Sequence, residues 1–312
     1  MTMTRGIKFF FIAFFINLFF WLGVNFFQNN LENFFYAQIS QPLQNIPELK
    51  IPPKPQKPEL ELAAKSAISV EIKKNGKEIT VFEKDIEKIL PLASLTKLMT
   101  ALVFLSNGNS DLENTWISVS YDAARQENVP NYGNLKTGEK LNLKQLFDLM
   151  LIYSSNDAAF AISELLGVDN FVSKMNQKAK ELSLTNTYFV NPTGLDPENL
   201  HYSGDASIFF NRSTAKDLVK LTQYLLKNYP LIFEVSLQKG PYPFMNGVSN
   251  LSLPESETFW GGKTGYTDEA GGCIVSIFQN KKGNIFFNII LGAPSQTARV
   301  EEMQKLIDWL NL

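Results

Sequence analysis

The chain has 312 residues, a net charge of −2 at neutral pH and 45% hydrophobic residues. This length and hydrophobic content suffice for one large domain or two small ones, and the near-neutral charge argues against a nucleic-acid partner. A single cysteine, Cys273, excludes a disulfide within the chain, and with a single histidine, His201, we expect no His/Cys metal site. Any Ser-His-Asp triad would have to include His201, so few catalytic arrangements are open to this chain.

The N-terminal segment predicts a membrane anchor. Residues 9–27 (FFFIAFFINLFFWLGVNFF) carry no charge, and as a helix they would span a hydrocarbon core of about 30 Å. Two basic residues precede this run, which favours a cytoplasmic N-terminus and an exported remainder. The alternative is a cleavable signal peptide with Ala37 before the cut, but Phe35 stands where a small residue is expected and the apolar run is long. We therefore favour an uncleaved anchor in residues 1–37.

A proline-rich linker is predicted for residues 38–60. Prolines occur in this stretch at positions 42, 47, 52, 53, 55 and 58. Such spacing sustains neither helix nor sheet and favours a semi-rigid, extended tether. Residues 61–312 then form the predicted globular domain, which contains no evident internal repeat.

The globular domain is predicted to begin with a hairpin and a helix. Strand-like residues 67–72 and 79–82 flank the pair Asn75-Gly76, a strong signal for a tight turn. After Pro91, apolar residues recur at helical spacing up to the stop at Asn107-Gly108. Four further helices are predicted at residues 143–153, 157–166, 169–182 and 214–228. The first of these four ends where serine and asparagine side chains follow in Ser154-Ser155-Asn156.

The C-terminal part predicts two strands and a final helix. The strands cover residues 272–279 and 284–291, and the helix covers residues 299–310. Strands at both ends of the domain with helices between them predict an α+β fold. In this fold, an antiparallel sheet formed by the N- and C-terminal strands packs against a helical cluster.

The stretch WGGKTGYT, residues 260–267, contains Gly262-Lys263-Thr264 and so looks at first like the end of a phosphate-binding loop. Such a loop needs a glycine five residues before the glycine of its Gly-Lys pair. Glu257 occupies that place, and its charge would repel phosphate. The residues that follow are rich in β-branched and apolar side chains, so Lys263 is predicted on a strand that turns back into another strand. We therefore reject a nucleotide site.

Ser94 and Lys97 stand three residues apart on one face of the first helix of the domain. Alone, this spacing carries little weight, because S-x-x-K also begins at Ser213 and Ser236. Ser94 is distinguished by the order of the motifs along the chain. These are S-x-x-K at Ser94 and Lys97, S-x-N at Ser154 and Asn156, and K-T-G at Lys263, Thr264 and Gly265.

These motifs and their flanks ASLTKLMTAL, SSNDAA, FVSKMNQKAKEL, NPTGLD and GGKTGYTDEAGGC resemble the D-alanyl-D-alanine carboxypeptidases. These are the low-molecular-mass penicillin-binding proteins of serine peptidase family S11, and the similarity covers most of residues 66–309. It implies a β-lactamase/penicillin-binding-protein-like fold and no cofactor. Together with the apolar N-terminal segment, it implies a single-pass protein of the bacterial cell membrane, or a secreted one if that segment is cleaved. Its extracytoplasmic domain would remove the terminal D-alanine of peptidoglycan stem peptides and would be acylated by β-lactam antibiotics.

The resemblance implies roles for four catalytic residues. Ser94 would attack the carbonyl of the penultimate D-alanine, and Lys97 would accept the proton. Ser154 would relay a proton to the leaving amine, while Asn156 would hold the substrate amide and bond to Lys97. Because only a neutral amine is a base, the pKa of Lys97 would have to fall from about 10.4 to about 7. Burial, the helix N-terminus and the charge of Lys263 would all act in that direction.

The third motif would bind the substrate. Lys263 and Thr264 would receive its terminal carboxylate, and Gly265 would let the strand approach it closely. Backbone amides of Ser94 and Tyr266 would form the oxyanion hole, worth about 3 kcal/mol per donor.

Three alternatives remain open. A class A β-lactamase needs a glutamate downstream of the S-x-N motif, but the only similar string, residues 139–142 (EKLN), lies upstream and is one residue short. An endopeptidase or transpeptidase acting on D-alanine cross-links would use the same motifs, so sequence does not separate it from a carboxypeptidase. A non-catalytic peptidoglycan-binding module on a membrane tether is disfavoured because all three motifs are intact.

Several residues depart from the family pattern or have an undecided role. Ser155 stands where many relatives have glycine, which would narrow the cleft slightly. Residues 203–212 (SGDASIFFNR) look like an insertion that would cap the cleft or contact a partner. We expect Cys273 to be a buried strand residue and His201 to be structural, whereas Trp260 would either line the cleft or pack in the core.

Overall fold

A computed structural model describes residues 5–39, 57–108, 111–126, 133–201, 209–238, 251 and 258–311. The chain divides into two compact units, Met1–Gln56 and Lys57–Leu312. Residues 40–56 of the predicted linker lie outside the described residues. The division into an anchor, a linker and a catalytic domain that begins at residue 61 stays a prediction.

In the first unit, helix α1 spans Arg5–Ile39. Its 35 residues would extend over about 52 Å, which exceeds a hydrocarbon core of about 30 Å. Within it, Gly6–Ala37 has the length and composition to cross a membrane, and none of its most apolar window is buried in protein. A signal sequence would meet the same criteria.

The second unit is built on an antiparallel five-stranded sheet in the order β2-β1-β9-β8-β7. The strands are β1 (Ser66–Ile72), β2 (Glu78–Lys84), β7 (Thr258–Thr267), β8 (Gly271–Gln279) and β9 (Ile285–Ala293). Strand β1 pairs with β9, and Ser66 lies opposite Leu291. The prediction that the first and last strands share one sheet is therefore confirmed. Four short strands that were not predicted form two further pairs, β3 (Leu90–Pro91) with β6 (Arg212–Ser213) and β4 (Trp116–Ser118) with β5 (Lys140–Asn142).

Helices lie between these strands in the sequence. They are α2 (Lys97–Ser106), α3 (Leu143–Ile152), α4 (Asn156–Glu164), α5 (Val168–Glu181), α6 (Ala215–Asn228), α7 (Leu231–Ser236) and α8 (Ala298–Leu310). Side-chain caps fix three of the starts, since Asn142, Ser155 and Thr214 accept hydrogen bonds from the first turns of α3, α4 and α6. The helices predicted in the domain are present, and only α7 was not predicted.

Burial on both faces explains why β8 and β9 are apolar almost throughout. On one face, α8 places Met303 and Leu306 in a cluster with Ile274 and Ile290. On the other face, β9 packs against α6, and β7 and β8 contact the turn that carries Ser94. The sheet therefore serves as the wall on which the motif residues assemble.

Candidate active site

Ser94 lies on a 3₁₀ turn, Ala93–Thr96, that leads directly into α2. Side chains three residues apart eclipse in such a turn, and Lys97 Nζ lies 2.8 Å from Ser94 Oγ. Ala93 has a φ of +46°, a left-handed conformation that is costly for a residue other than glycine. The backbone is therefore strained at the residue directly before the predicted nucleophile.

Lys97 is completely buried, and its amine meets three oxygen atoms. Nζ lies 2.8 Å from Ser94 Oγ, 2.8 Å from Asn156 Oδ1 and 2.7 Å from the carbonyl oxygen of Thr193. A neutral amine has two N–H groups and one lone pair, whereas a carbonyl oxygen can only accept. If Asn156 and Thr193 accept the two N–H groups, the lone pair faces the Ser94 hydroxyl. The arrangement suits a base that takes a proton from Ser94.

The second motif lies at a sharp break between two helices. Ser154 follows the end of α3 with a φ of +62°, in a position that glycine most often occupies at helix ends. Its hydroxyl accepts a hydrogen bond of 2.8 Å from Lys263 Nζ. Ser155 instead caps α4 by accepting from the Ala158 N–H at 3.0 Å, and it donates to the Gly133 carbonyl. The extra hydroxyl of Ser155 is thus used in holding the wall of the site.

The third motif lies on β7, an edge strand that turns back into β8, as the sequence predicted. A Cβ atom on Gly265 would lie 2.8 Å from the Ser94 backbone nitrogen, so only glycine lets β7 pass this close to the nucleophile turn. Lys263 and Thr264 are buried beside it, while Tyr266 is 40% exposed. Strand β7 therefore forms one side of the site.

Electrostatics at Lys263 depend on the other cations nearby. Burial and the positive charges of Lys97 and Arg299 hold the pKa of Lys263 well below its ordinary value of 10.5. A bound anion would raise this pKa again, because an opposite charge favours the protonated amine. The expectation that Lys263 stays positive therefore applies to a site that holds a carboxylate.

Arg299, in the first turn of α8, was not singled out by the sequence reasoning. It is buried and donates a 2.8 Å hydrogen bond to the Gly265 carbonyl, and burial lowers its pKa to about 10. A signal was available, because a positive charge at a helix N-terminus opposes the helix dipole and calls for a tertiary partner. Arg299 thus fixes β7 where the strand passes Ser94.

Asp157 follows Asn156 and was also missed. It is buried, its Oδ2 accepts from the Leu135 N–H at 2.7 Å, and burial raises its pKa to about 6. Hydrogen bonds from the Leu135 and Gln126 backbones and the charge of Lys97 act in the opposite direction. Gln126 in turn bonds to the backbone of His201, whose side chain is exposed. His201 therefore contributes to this wall through its backbone.

The other residues singled out in the sequence include Cys273 and Trp260, which pack in or against the core of the domain. Cys273 is completely buried, and burial raises the pKa of its thiol to about 11, so it is no nucleophile at neutral pH. Trp260 packs against the core. Of the predicted insertion, residues 203–208 lie outside the described residues, Phe209 is exposed and Asn211 is buried. In the described part of the chain, no cluster of three or more His, Cys, Asp or Glu side chains could hold a metal ion.

Comparison with known proteins gives consistent matches over this second unit. The model of the family Peptidase_S11, D-alanyl-D-alanine carboxypeptidase, matches residues 52–295. The chain is 32% identical to D-alanyl-D-alanine carboxypeptidase DacF of Bacillus subtilis, over 80% of this chain and 63% of that protein. It is 28% identical to a D-alanyl-D-alanine endopeptidase of Escherichia coli, over 80% of this chain and 78% of that protein.

Solved structures with this fold include two penicillin-binding proteins. Penicillin-binding protein D2 of Listeria monocytogenes, with ampicillin bound, is 28% identical over 81% of this chain and 99% of that one, with a TM-score of 0.66. The protein PBP3 of Streptococcus pneumoniae is 28% identical over 81% of this chain and 72% of that one, with a TM-score of 0.70.

Proposed function

Because the chain belongs to the D-alanyl-D-alanine carboxypeptidase family of serine peptidases, S11, we propose that it removes the terminal D-alanine of peptidoglycan stem peptides through an acyl-enzyme on Ser94. One observation carries the proposal: the buried amine of Lys97 lies 2.8 Å from the Ser94 hydroxyl. Two carbonyl acceptors, on Asn156 and Thr193, orient this amine. A serine hydroxyl needs such a neighbouring base to become a nucleophile.

In the acylation step, Ser94 Oγ forms a bond to the carbonyl carbon of the penultimate D-alanine while Lys97 takes the hydroxyl proton. The backbone N–H groups of Ser94 and Tyr266 would stabilise the oxyanion. The amide C–N bond then breaks, and Ser154, which is hydrogen-bonded to Lys263, would relay the proton held by Lys97 to the nitrogen of the departing D-alanine. Lys97 is then neutral again and takes a proton from water as the water oxygen bonds to the ester carbonyl carbon. The bond from that carbon to Ser94 Oγ breaks, Lys97 gives its proton to Ser94, and the shortened stem peptide leaves.

Recognition of the substrate would rest on its terminal carboxylate. Lys263 lies beside Ser154, and both Lys263 and Thr264 are buried, so an anion held there is largely removed from water. The carboxylate would raise the lowered pKa of Lys263, so substrate binding and protonation of this amine would favour each other. The same interaction serves the carboxylate of a β-lactam antibiotic, which would acylate Ser94.

We place the catalytic domain outside the cytoplasm, attached to the bacterial cell membrane by α1. The apolar span Gly6–Ala37 supports this arrangement, with a cleaved signal sequence as the alternative. Intact-mass measurement of the chain recovered from both the membrane fraction and the extracytoplasmic soluble fraction distinguishes the two, because cleavage after Ala37 would remove the whole span.

The test of the activity uses the full chain in detergent with a fluorescent penicillin. We expect covalent labelling of the wild type and of Ser106→Ala, a control serine at the end of α2, the helix that follows Ser94, but none of Ser94→Ala. Wild-type protein should also release D-alanine from a defined pentapeptide. Equal labelling of Ser94→Ala, or no labelling of any variant, would contradict the proposal.

An endopeptidase activity at the same site is the second candidate. It is favoured by the relative from Escherichia coli, and by one from Pseudomonas aeruginosa that is 31% identical over 72% of this chain and 70% of that protein, both named as D-alanyl-D-alanine endopeptidases. Digestion of a cross-linked muropeptide dimer beside the pentapeptide separates the activities, because the endopeptidase releases monomers and no free D-alanine.

A further inference from the structure

Two buried asparagines connect the nucleophile helix to the loop that faces Lys97. Asn211, directly before β6, is 3% exposed and uses every hydrogen-bonding position of its amide. Its Oδ1 accepts from the N–H groups of Val190 at 2.6 Å and Asn191 at 3.1 Å. Its Nδ2 donates to Thr96 Oγ1 at 2.9 Å and to the Asn191 carbonyl at 3.0 Å. One side chain thus joins the residue before Lys97 to the opposite loop.

Asn191 continues this network into the loop and is 2% exposed. Its Oδ1 accepts from Thr193 N at 3.1 Å, from Thr193 Oγ1 at 3.1 Å and from Gly194 N at 2.7 Å. Its Nδ2 donates to the Leu195 carbonyl at 3.0 Å. These bonds hold the peptide units on both sides of Thr193, and so they fix the direction of the Thr193 carbonyl. That carbonyl accepts from Lys97 Nζ at 2.7 Å.

We propose that Asn211 and Asn191 are positioning residues for the base. They hold Thr193 as a fixed acceptor for the Lys97 amine and tie its loop to Thr96, the residue before Lys97, which keeps the lone pair directed at the Ser94 hydroxyl. The inference rests on the proposed function, because it assigns these amides to the acylation step.

Because this network is buried, water cannot easily take the place of a hydrogen-bonding group that is removed from it. Thr96 and Thr193 are completely buried, so an amide that is removed leaves polar groups without access to bulk water. A displacement of the base by about 1 Å costs on the order of a hundredfold in rate. We therefore expect loss of the Asn211 amide to slow the acylation of Ser94 in those molecules that remain folded.

The loop has attachments that do not depend on the Asn211 side chain. Thr100 Oγ1 donates to the Pro192 carbonyl at 2.6 Å, and the Leu92 N–H donates to the Asn211 backbone carbonyl at 3.0 Å. The loop should therefore stay docked on α2 when this amide is truncated, so that rate and folding can be measured separately.

The experiment compares full-length Asn211→Ala, Thr96→Val and Thr96→Ser in detergent. An end-point titration with fluorescent penicillin counts the sites that can still be acylated. A time course of labelling, quenched at successive times, then gives the acylation rate constant per titrated site. We expect Asn211→Ala to lower this rate constant tenfold or more. Thr96→Val, which loses only the acceptor hydroxyl, should lower it severalfold, and Thr96→Ser should restore it.

Asn288→Ala is the matched control. Asn288 is a completely buried amide in β9 that accepts from Ser69 Oγ at 2.7 Å, away from the loop at Thr193. Its truncation should lower the melting temperature and leave the rate constant per titrated site unchanged.

A wild-type rate constant in Asn211→Ala, or an equal loss in Asn288→Ala, would show that the asparagines only support the fold and would overturn the inference. If Asn211→Ala does not fold, equal rate constants for Thr96→Val and Thr96→Ser would overturn it. Absence of labelling in the unmodified chain would overturn the proposed function and the inference with it. Labelling with unchanged rate constants overturns the inference alone.

Discussion

Lys263 Nζ lies 2.8 Å from Ser154 Oγ, so a residue of the edge strand β7 and a residue at a helix break form one hydrogen bond. Lys97 makes the corresponding contacts with Ser94 and Asn156. Two lysines thus connect three separate motifs, and protonation of Lys97 would contribute to the lowered pKa of Lys263. The charges of the two lysines are therefore coupled, so a change at one motif is expected to affect the other two.

Replacement of Ser154 by glycine should increase stability relative to replacement by alanine. Both variants lose the hydroxyl that accepts from Lys263, but only alanine keeps a Cβ atom at a φ of +62°. We expect Ser154→Gly to be more stable than Ser154→Ala by about 1 kcal/mol, and both to be strongly impaired in peptide hydrolysis. Chemical denaturation and the pentapeptide assay check this. Equal stability of the two variants would mean that the left-handed backbone costs nothing here.

Stability should depend on pH through Asp157. Its pKa is about 6 in the folded chain and 3.8 when unperturbed, so between these values the folded state binds more protons than the unfolded state. The contribution of Asp157 to stability is therefore present at low pH and is lost as pH rises from about 4 to about 6, by roughly 1–2 kcal/mol after allowance for solvent screening. Asp157→Asn should flatten this part of the curve measured by denaturation. Asp148→Asn is the control for a second carboxyl with a raised pKa, one that is half-buried and paired with Lys144, and it should leave the Asp157 contribution in place.

A methyl group on Gly265 should separate β7 from the nucleophile turn. The added Cβ would lie 2.8 Å from Ser94 N and 3.1 Å from the Ala93 Cβ, and neither neighbour is a flexible side-chain end. We expect Gly265→Ala to cost about 1–3 kcal/mol of stability and to slow penicillin acylation at least tenfold. Gly138→Ala is the control, because Gly138 has a φ of +82° and open space around it. It should lose stability and keep the acylation rate; a slow Gly138→Ala would point to a general loss of folding.

The thiol of Cys273 should be inert in the folded chain. It is the only thiol in the sequence, it is completely buried, and its pKa is raised to about 11. Iodoacetamide at pH 7.5 should leave the native chain unmodified and penicillin labelling unchanged, whereas the unfolded chain should gain one carbamidomethyl group by mass spectrometry. Alkylation of the native chain at the rate of a free thiol would disprove this.

The sequence predicted those parts of the fold that have a local pattern. Helical spacing of apolar residues identified α2 and α3, and an Asn-Gly turn identified the hairpin of β1 and β2. Helix α7 has six residues, too few for a clear period, and was missed. The short strands were missed for the same reason, since two or three residues show no alternation.

For the site, the sequence identified the motif residues through their order and their resemblance to a family, and the structure brings Ser94, Lys97 and Asn156 together. The partners that hold them were not identified. Asn191 opens the flank NPTGLD, which carries part of the resemblance but suggested no role for this residue, and Asn211 fell within the predicted insertion of residues 203–212. Only tertiary packing makes their amides face each other. The group of Thr193 that accepts a hydrogen bond from Lys97 is its backbone carbonyl, and no pattern of side chains in the sequence can reveal it.

The pairing of β1 with β9 has a consequence for biogenesis. Ser66 cannot meet Leu291 until nearly the whole chain has been made, and such distant contacts are slow to form. Strand β7, which carries Lys263, reaches this sheet only through β8 and β9. A nascent chain that has not yet reached β9 therefore holds Ser94 without the strand wall beside it. We expect penicillin labelling only after β9 has been made and has paired with β1.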